Sequence, residues 1–480
     1  MKLLFGVISG ALSYMSTVNR TKHSGSRYSS SREESQILSP KNKGFLIDGV
    51  NKRLSKNISY EHVAIFARPG SGKTTAYIIP NVFESIKQNK SIVINDPSGE
   101  IFDITSAFAL EKGYKIQYLD PNKPDISNSF NPLTLASNEL EIEKIAQSLV
   151  RSGTNAKNAN DFWANGAIKL CTMLLKALAF NPAESKYNTL ANLRLIIDVF
   201  GADGERLTDW FTENSDNLLF EEWRGFINQE PKTLSGIVMT LDIALSKLSN
   251  RGIRKITSHT DIDFSTLREE KTIVYFVTPS QDAVYFSFLV SMFFISLFNE
   301  LMRKRPSDKD LEVAIFYDEF GHSTIPDFNT ISNTIRKYKV PMSLVWQGRS
   351  QLDSKYGISE AKDILTGIGT HMVLSGADLE TTNYFAEIIG MVRERQESGM
   401  INTRSSYQEF KLISASEIRT LANNEALLVV KNINPIKLHL KPFFDSYIFK
   451  SYSMLGSVPL EEKEYFKEFE LKFEEKKEEV

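Results

Sequence analysis

Between His62 and Ile79 the chain passes from an apolar run through a glycine-bearing turn into a helical pattern, and this order constrains the fold more than any other feature. His62-Val63-Ala64-Ile65-Phe66 reads as a buried strand, and the pattern from Lys73 toward Ile79 reads as a helix. The turn between them, Ala67-Arg68-Pro69-Gly70-Ser71-Gly72-Lys73-Thr74-Thr75, has the composition of a phosphate-binding loop. In such a loop backbone N–H groups converge on an anion at a helix N-terminus, where the helix dipole adds positive charge. Lys73 is expected to reach the β/γ-phosphates of ATP, and the Thr74 hydroxyl to ligate Mg2+. Ala67 stands where the first glycine of the pattern is usual, which carries a steric cost if its φ is positive. The alternative is a strand–turn–helix corner that merely contains Gly-Lys-Thr.

Apolar, β-rich runs recur at Ile92–Asp96, Lys115–Leu119, Thr272–Thr278, Val313–Asp318, Met342–Gln347, His371–Leu374, Ala426–Lys431 and Ile436–Leu440. Helical patterns separate many of them, so an α/β domain around a largely parallel sheet is expected. The alternation stops from 125 to 265, where apolar residues recur at helical spacing, as in Ile142/Ile145/Leu149, Leu190/Leu193/Ile197/Phe200 and Ile237/Leu241/Leu245/Leu248. This stretch reads as an inserted all-α domain, dividing the nucleotide-binding domain into 44–124 and 266–450. Phe162-Trp163 opens one of its helices and is expected in the core. Residues 1–43 form a basic arm with a short apolar segment, and 451–480 a charged tail. In that tail Phe466, Phe469 and Phe473 fall at helical spacing and suggest an amphipathic helix.

The 480 residues carry 57 basic and 59 acidic side chains, so any nucleic-acid contact must come from local rather than global charge. A single cysteine, Cys171, excludes an intramolecular disulfide framework and reads as a core thiol in a reducing compartment. Leu3–Met15, as a helix, covers about 20 Å and falls short of a bilayer core of about 30 Å. A cleaved export signal is not expected, because a nucleotide-hydrolysing chain belongs where ATP is. Residues 1–56 hold ten basic side chains against three acidic ones, a net +7 that suits peripheral contact with the anionic cytoplasmic face of a membrane. A solvated, flexible arm is the alternative. Val284–Phe298 is apolar but broken by Ser287, Ser291 and Ser296, and reads as a buried helix rather than a span.

Hydrolysis needs a metal-positioning carboxylate, a group that activates water, and positive charge for the transition state. Val313-Ala314-Ile315-Phe316-Tyr317 ends in Asp318-Glu319, which places Asp318 to hold Mg2+ and Glu319 to polarise water. Gln347 ends another strand and is a candidate γ-phosphate sensor, the alternative being a polar strand end. Arg336 is a candidate arginine finger for a neighbouring subunit, a surface arginine or a DNA-backbone contact.

These blocks and their order resemble the type IV secretion coupling proteins, the TraG-like conjugative DNA-transfer ATPases, over about residues 44–445. The resemblance rests on Gly44-Phe45-Leu46-Ile47, Glu61-His62-Val63, the loop, Pro80-Asn81, Asp96-Pro97-Ser98-Gly99-Glu100, Asp161-Phe162-Trp163, Lys232-Thr233-Leu234-Ser235-Gly236-Ile237, Asp318-Glu319-Phe320-Gly321, Arg336 and Gln347-Gly348-Arg349-Ser350-Gln351-Leu352. Ser98 stands where that family usually has lysine. The resemblance implies a RecA-like motor with an inserted all-α domain, assembled as a hexameric ring in the cytoplasm, at the cytoplasmic face of the inner membrane. It also implies ATP hydrolysis coupled to DNA passage, with a relaxase and secretion-channel ATPases as partners. The family's N-terminal membrane domain has two spans, where this chain carries the 3–15 segment. Two other readings stay open: a soluble hexameric DNA pump or packaging ATPase of the same superfamily, and an ATP-dependent adaptor that recruits protein cargo.

Overall fold

The computed structural model describes residues 24–154, 161–180, 186–202, 204–397, 405–464 and 469–472. The apolar segment 3–15, Phe466 and Phe473 lie outside these described residues.

All nine expected runs are strands of one sheet: β2 (Val63–Phe66), β3 (Ser91–Asp96), β4 (Lys115–Leu119), β5 (Thr272–Val277), β6 (Val313–Tyr317), β7 (Met342–Trp346), β8 (Thr370–Leu374), β11 (Glu425–Val430) and β12 (Ile436–His439). Their order is β12-β11-β8-β2-β7-β6-β3-β5-β4. Pairing is parallel from β8 through β4, and β11 and β12 add an antiparallel edge. Side chains along each central strand alternate between two cores. Val63 and Ile65 enter one, while Ala64 and Phe66 enter the other, so the sheet is covered on both faces. A second, small sheet joins β1 (Ser24–Gly25) to the hairpin of β9 (Met391–Glu397) and β10 (Ser405–Lys411).

Helices α1 (Ile79–Lys87) and α2 (Glu100–Glu111) follow β2 and β3. Between β4 and β5 every regular element among the described residues is helical. The main ones are α3 (Glu139–Thr154), α4 (Phe162–Ala179), α5 (Leu190–Ala202), α6 (Gly204–Asn214), α7 (Asn217–Ile227), α8 (Pro231–Leu245) and α9 (Arg251–Ile256). Ile142, Ile145, Leu149, Leu190, Leu193, Ile197, Ile237, Leu241, Leu245 and Leu248 are buried, as their spacing requires. Cys171 is buried among them, and burial pushes its thiol pKa up, away from nucleophilic use.

Helix α10 (Ala283–Arg303) is long and apolar enough to cross a membrane, but most of it is buried inside the protein. It joins the helical layer to the sheet. Phe293 meets Phe130, Phe264 and Phe276 edge-on at 5.0–5.4 Å, and Phe294 stacks on Tyr317 at 4.2 Å.

Two expectations fail. Phe162 and Trp163 are 60% and 45% exposed rather than core. Asp161 caps α4 by accepting from the Trp163 and Ala164 N–H groups, and Trp163 then lies against Gly236, where a Cβ would come within 2.4 Å of the ring. The contact is a close approach at the rim of the helical unit. The tail is also not the expected helix. Beyond helix Tyr447–Ser453 the described residues, 454–464 and 469–472, contain no helix, and Phe469 is part of an extended segment bonded to Asn192.

Candidate nucleotide site at the carboxyl ends of β2, β7 and β6

β7 lies between β2, which leads into the glycine loop, and β6, which ends in the acids. Residues following these three parallel strands therefore meet at one edge of the sheet, the usual position of a site in an open α/β fold. Ala67 continues β2, its N–H donating to the Trp346 carbonyl at 2.9 Å. It is not left-handed, so an alanine in place of the usual first glycine carries no steric cost. The positive φ values fall on Gly70 (75°) and Gly72 (83°), with open space beside Gly70. The Arg68 carbonyl closes the turn by accepting from the Ser71 N–H and hydroxyl, and Arg68 and Pro69 stay exposed. Thr74 opens a short π-helical turn, Thr74–Ile78, ahead of α1, and Thr75 Oγ1 donates to the Gly72 carbonyl at 3.2 Å. A glycine turn of this kind at a helix start offers backbone donors to phosphate oxygens.

Lys73 is buried beneath it. Its Nζ lies 2.7 Å from Asp318 Oδ1 and 2.5 Å from Glu319 Oε1. Burial alone would lower the ammonium pKa, but the two carboxylates outweigh it and hold Lys73 above its ordinary value. Burial also raises Asp318, because one ammonium shared by two acids does not fully compensate it. Glu319 has left-handed backbone (φ 57°), an uncommon conformation for a non-glycine residue. It turns the carboxylate back over the strand end, where Gln347 Nε2 donates to Oε2 at 2.7 Å. Thus Lys73, Asp318, Glu319 and Gln347 form one contiguous polar cluster.

Arg336 does not join it. It is exposed in a short 3-10 turn before β7, whereas Gln347 follows β7, so a strand of about 17 Å separates the two.

Two neighbours, Asn95 and His322, escaped the sequence reading, and a third, Gln351, was visible only as part of a block. Asn95, on β3, donates from Nδ2 to the Asp318 carbonyl at 2.6 Å and so fixes the backbone that presents the acids. Gln351 Oε1 accepts from the Gln347 N–H at 3.1 Å. His322 Nε2 lies 3.5 Å from Glu319 Oε2, and burial lowers its pKa despite that acid. Its i+3 spacing from Glu319 was the available signal. Asp96 accepts from the Gly99 and Phe102 N–H groups, and burial pushes its carboxyl up to about 7. Ser98, the departure noted above, bonds to Asp96 and accepts from the Glu100 N–H, so it helps to shape the start of α2.

A sequence profile of the family described as "Type IV secretory system Conjugative DNA transfer" matches residues 16–467. The chain belongs to that family. Within the conjugative DNA-transfer family it is 25% identical over 420 residues to the protein VirD4 of Agrobacterium fabrum, covering 83% of this chain and 61% of that protein. It is 22% identical over 397 residues to a probable conjugal transfer protein TraG of Sinorhizobium fredii, covering 78% and 61%. The chain thus spans about three fifths of the length of these relatives. Its fold is that of the bacterial conjugative coupling protein TrwBdeltaN70 in its unbound form, with a TM-score of 0.67, 17% identity and coverage of 88% of this chain and 95% of that one. A further structure of TrwB, in complex with ADP and Mg2+, has a TM-score of 0.66 at 16% identity, covering 88% and 96%. The RecA-like reading of the fold is therefore correct.

Proposed function

We propose that the chain is an ATP-hydrolysing DNA motor that delivers a DNA–relaxase complex to a type IV secretion channel. The observation that carries this reading is the convergence of Lys73, Asp318, Glu319 and Gln347 at the ends of three adjacent parallel strands in a chain of this family. The donor set fits ATP and Mg2+, since the loop offers backbone N–H groups and the cluster holds one more carboxylate than ammonium. Bound Mg2+-ATP supplies the phosphoanhydride to be cleaved and a cation for the excess carboxylate. Lys73 Nζ would meet phosphate oxygens in place of its carboxylate partners, leaving Glu319 free. The Thr74 hydroxyl and Asp318 would hold the metal. Glu319 Oε2, oriented by Gln347 Nε2, takes a proton from water. Arg336, exposed at the other end of β7 from its own cluster, serves the nucleotide of the next subunit in a hexamer. The helical unit 125–265 is an inserted domain on this motor, and the basic N-terminal region contacts the cytoplasmic face of the inner membrane.

The test is steady-state ATPase turnover against DNA and protein concentration. Turnover should rise with both, and mixing Arg336→Ala with Lys73→Ala subunits should restore part of the lost activity. Turnover independent of DNA would overturn the motor reading, and no recovery at any mixing ratio would overturn catalysis between subunits.

A further inference from the structure

The acidic tail, in its described parts 454–464 and 469–472, is bonded to the body of the protein. Its Val458 N–H donates to Ser106 Oγ on α2 at 3.0 Å, and its Lys463 N–H donates to the Asp125 carbonyl at 2.7 Å. Further on, Asn192 in the first turn of α5 holds it at two points. Asn192 Nδ2 donates to the Phe469 carbonyl at 2.9 Å, and Oδ1 accepts from the Leu471 N–H at 3.0 Å. A C=O at one position and an N–H two positions on face the same edge only in an extended chain, so one amide reads the backbone of a strand-like segment.

The clamp is built into the fold. Asn192 is 1% exposed, and its Nδ2 is also aimed by the Tyr187 carbonyl at 2.8 Å and Thr189 Oγ1 at 3.2 Å. Side-chain selection sits beside it. Arg254 of α9 pairs with Glu470 at 2.7 Å, and Leu471 packs against the large core cluster. Residues 469–472 lie beyond the stretch 16–467 that matches the family.

We propose that the head of α5 is a peptide-binding groove for an extended acidic–apolar segment, and that its resident ligand is the chain's own tail at 469–471. Asn192 supplies backbone recognition that tolerates many sequences, while Arg254 and the socket for Leu471 select an acid followed by an apolar residue. The tail at 458–463 is separately bonded to α2 and to the loop at Asp125. At 469–471 its fastenings are two backbone hydrogen bonds, one apolar side chain and a part-exposed ion pair, few enough to exchange with a peptide in trans.

The test uses the full-length chain and a fluorescein-labelled synthetic peptide of residues 461–480, read by anisotropy. In the native chain the linked tail competes at roughly millimolar effective concentration and blocks the peptide. Full-length protein carrying Glu470→Lys with Leu471→Asp vacates the groove and should bind the peptide at least about tenfold more tightly. Adding Arg254→Glu to that background should weaken binding about fivefold, and a peptide carrying Glu470→Lys should regain it. Asn192→Ala should weaken both peptides about tenfold. Asn192 also orders the start of α5, so the charge exchange at Arg254, which is part-exposed, is the deciding arm. Equal binding to native and tail-altered protein, or indifference to the charge exchange, would overturn the proposal.

Discussion

Strand β6 has an ionic cluster at each end, part-exposed at the amino end and buried at the carboxyl end, and the two differ in charge balance. At the amino end Glu312 faces two cations: Lys90 at 2.5 Å and Lys56 at 2.7 Å, with the Tyr60 hydroxyl donating at 2.9 Å. At the carboxyl end one cation, Lys73, faces two acids. The responses of the groups follow. Burial lowers the Lys90 ammonium pKa and Glu312 only partly opposes it, whereas Lys73 is held above its ordinary value by Asp318 and Glu319. Burial would raise Glu312, but Lys90 and Lys56 outweigh it and hold the carboxyl below the usual range, while Asp318 is raised. The amino end satisfies its carboxylate from within the chain and serves the fold. The carboxyl end leaves a carboxylate in excess, as the proposed metal and water-activating roles require.

The sharpest way to separate the two ends is to neutralise one acid at each. Glu319→Gln keeps shape and removes the proton acceptor, so turnover should fall roughly 10²–10⁴-fold. Nucleotide affinity, followed by fluorescent-nucleotide titration, should stay within a few-fold. Unchanged turnover would remove Glu319 from its assigned role. Glu312→Ala leaves Lys90 buried without its partner and should cost about 3–5 kcal/mol in denaturant unfolding. Its folded fraction should hydrolyse ATP at the native rate, and a specific loss of turnover without loss of stability would break the contrast. Gln347→Ala removes one hydrogen bond to a charged oxygen, and a drop of roughly 10- to 100-fold in turnover is expected, with stability nearly unchanged.

The carboxyl-end cluster was legible because its members sit at the ends of apolar runs. Strands buried on both faces leave continuous signals such as Val313–Tyr317, and topology then brings their ends together. Legibility failed where contacts lack periodicity. Met391–Glu397 reads Met-Val-Arg-Glu-Arg-Gln-Glu, with no apolar face to announce its hairpin. The spacing of Phe466, Phe469 and Phe473 suggested a helix, but Phe469 is tied through its backbone, to which side-chain periodicity is blind. Pro80-Asn81 was visible only as a block. In the structure Asn81 exchanges 2.7 Å bonds with both the N–H and the carbonyl of Leu46, locking Gly44-Phe45-Leu46-Ile47 beside α1. Asn95 and His322 became meaningful only after the turn at Glu319 was known.

The smallest expected effect, and the one that tests the charge balance directly, is the pH dependence of stability in nucleotide-free protein with EDTA. Glu312 has a lowered pKa, so its stabilisation is fully present above the ordinary carboxyl value of 4.5 and is lost as pH falls through its folded value. Asp318 has a raised pKa, so its ionisation costs the empty fold stability at neutral pH. That cost is relieved as pH falls through the raised folded value toward the ordinary 3.8. The two ends of one strand therefore pull in opposite directions on acidification. Calorimetric Tm values between about pH 8 and pH 3 should show this in variants. Relative to the native chain, Asp318→Asn should lose the relief on acidification, and Glu312→Gln should lose the acid-limb fall. Matching pH profiles for the two variants would mean that charge balance does not distinguish the ends, and the division between a folding cluster and a chemical one would have to rest on position alone.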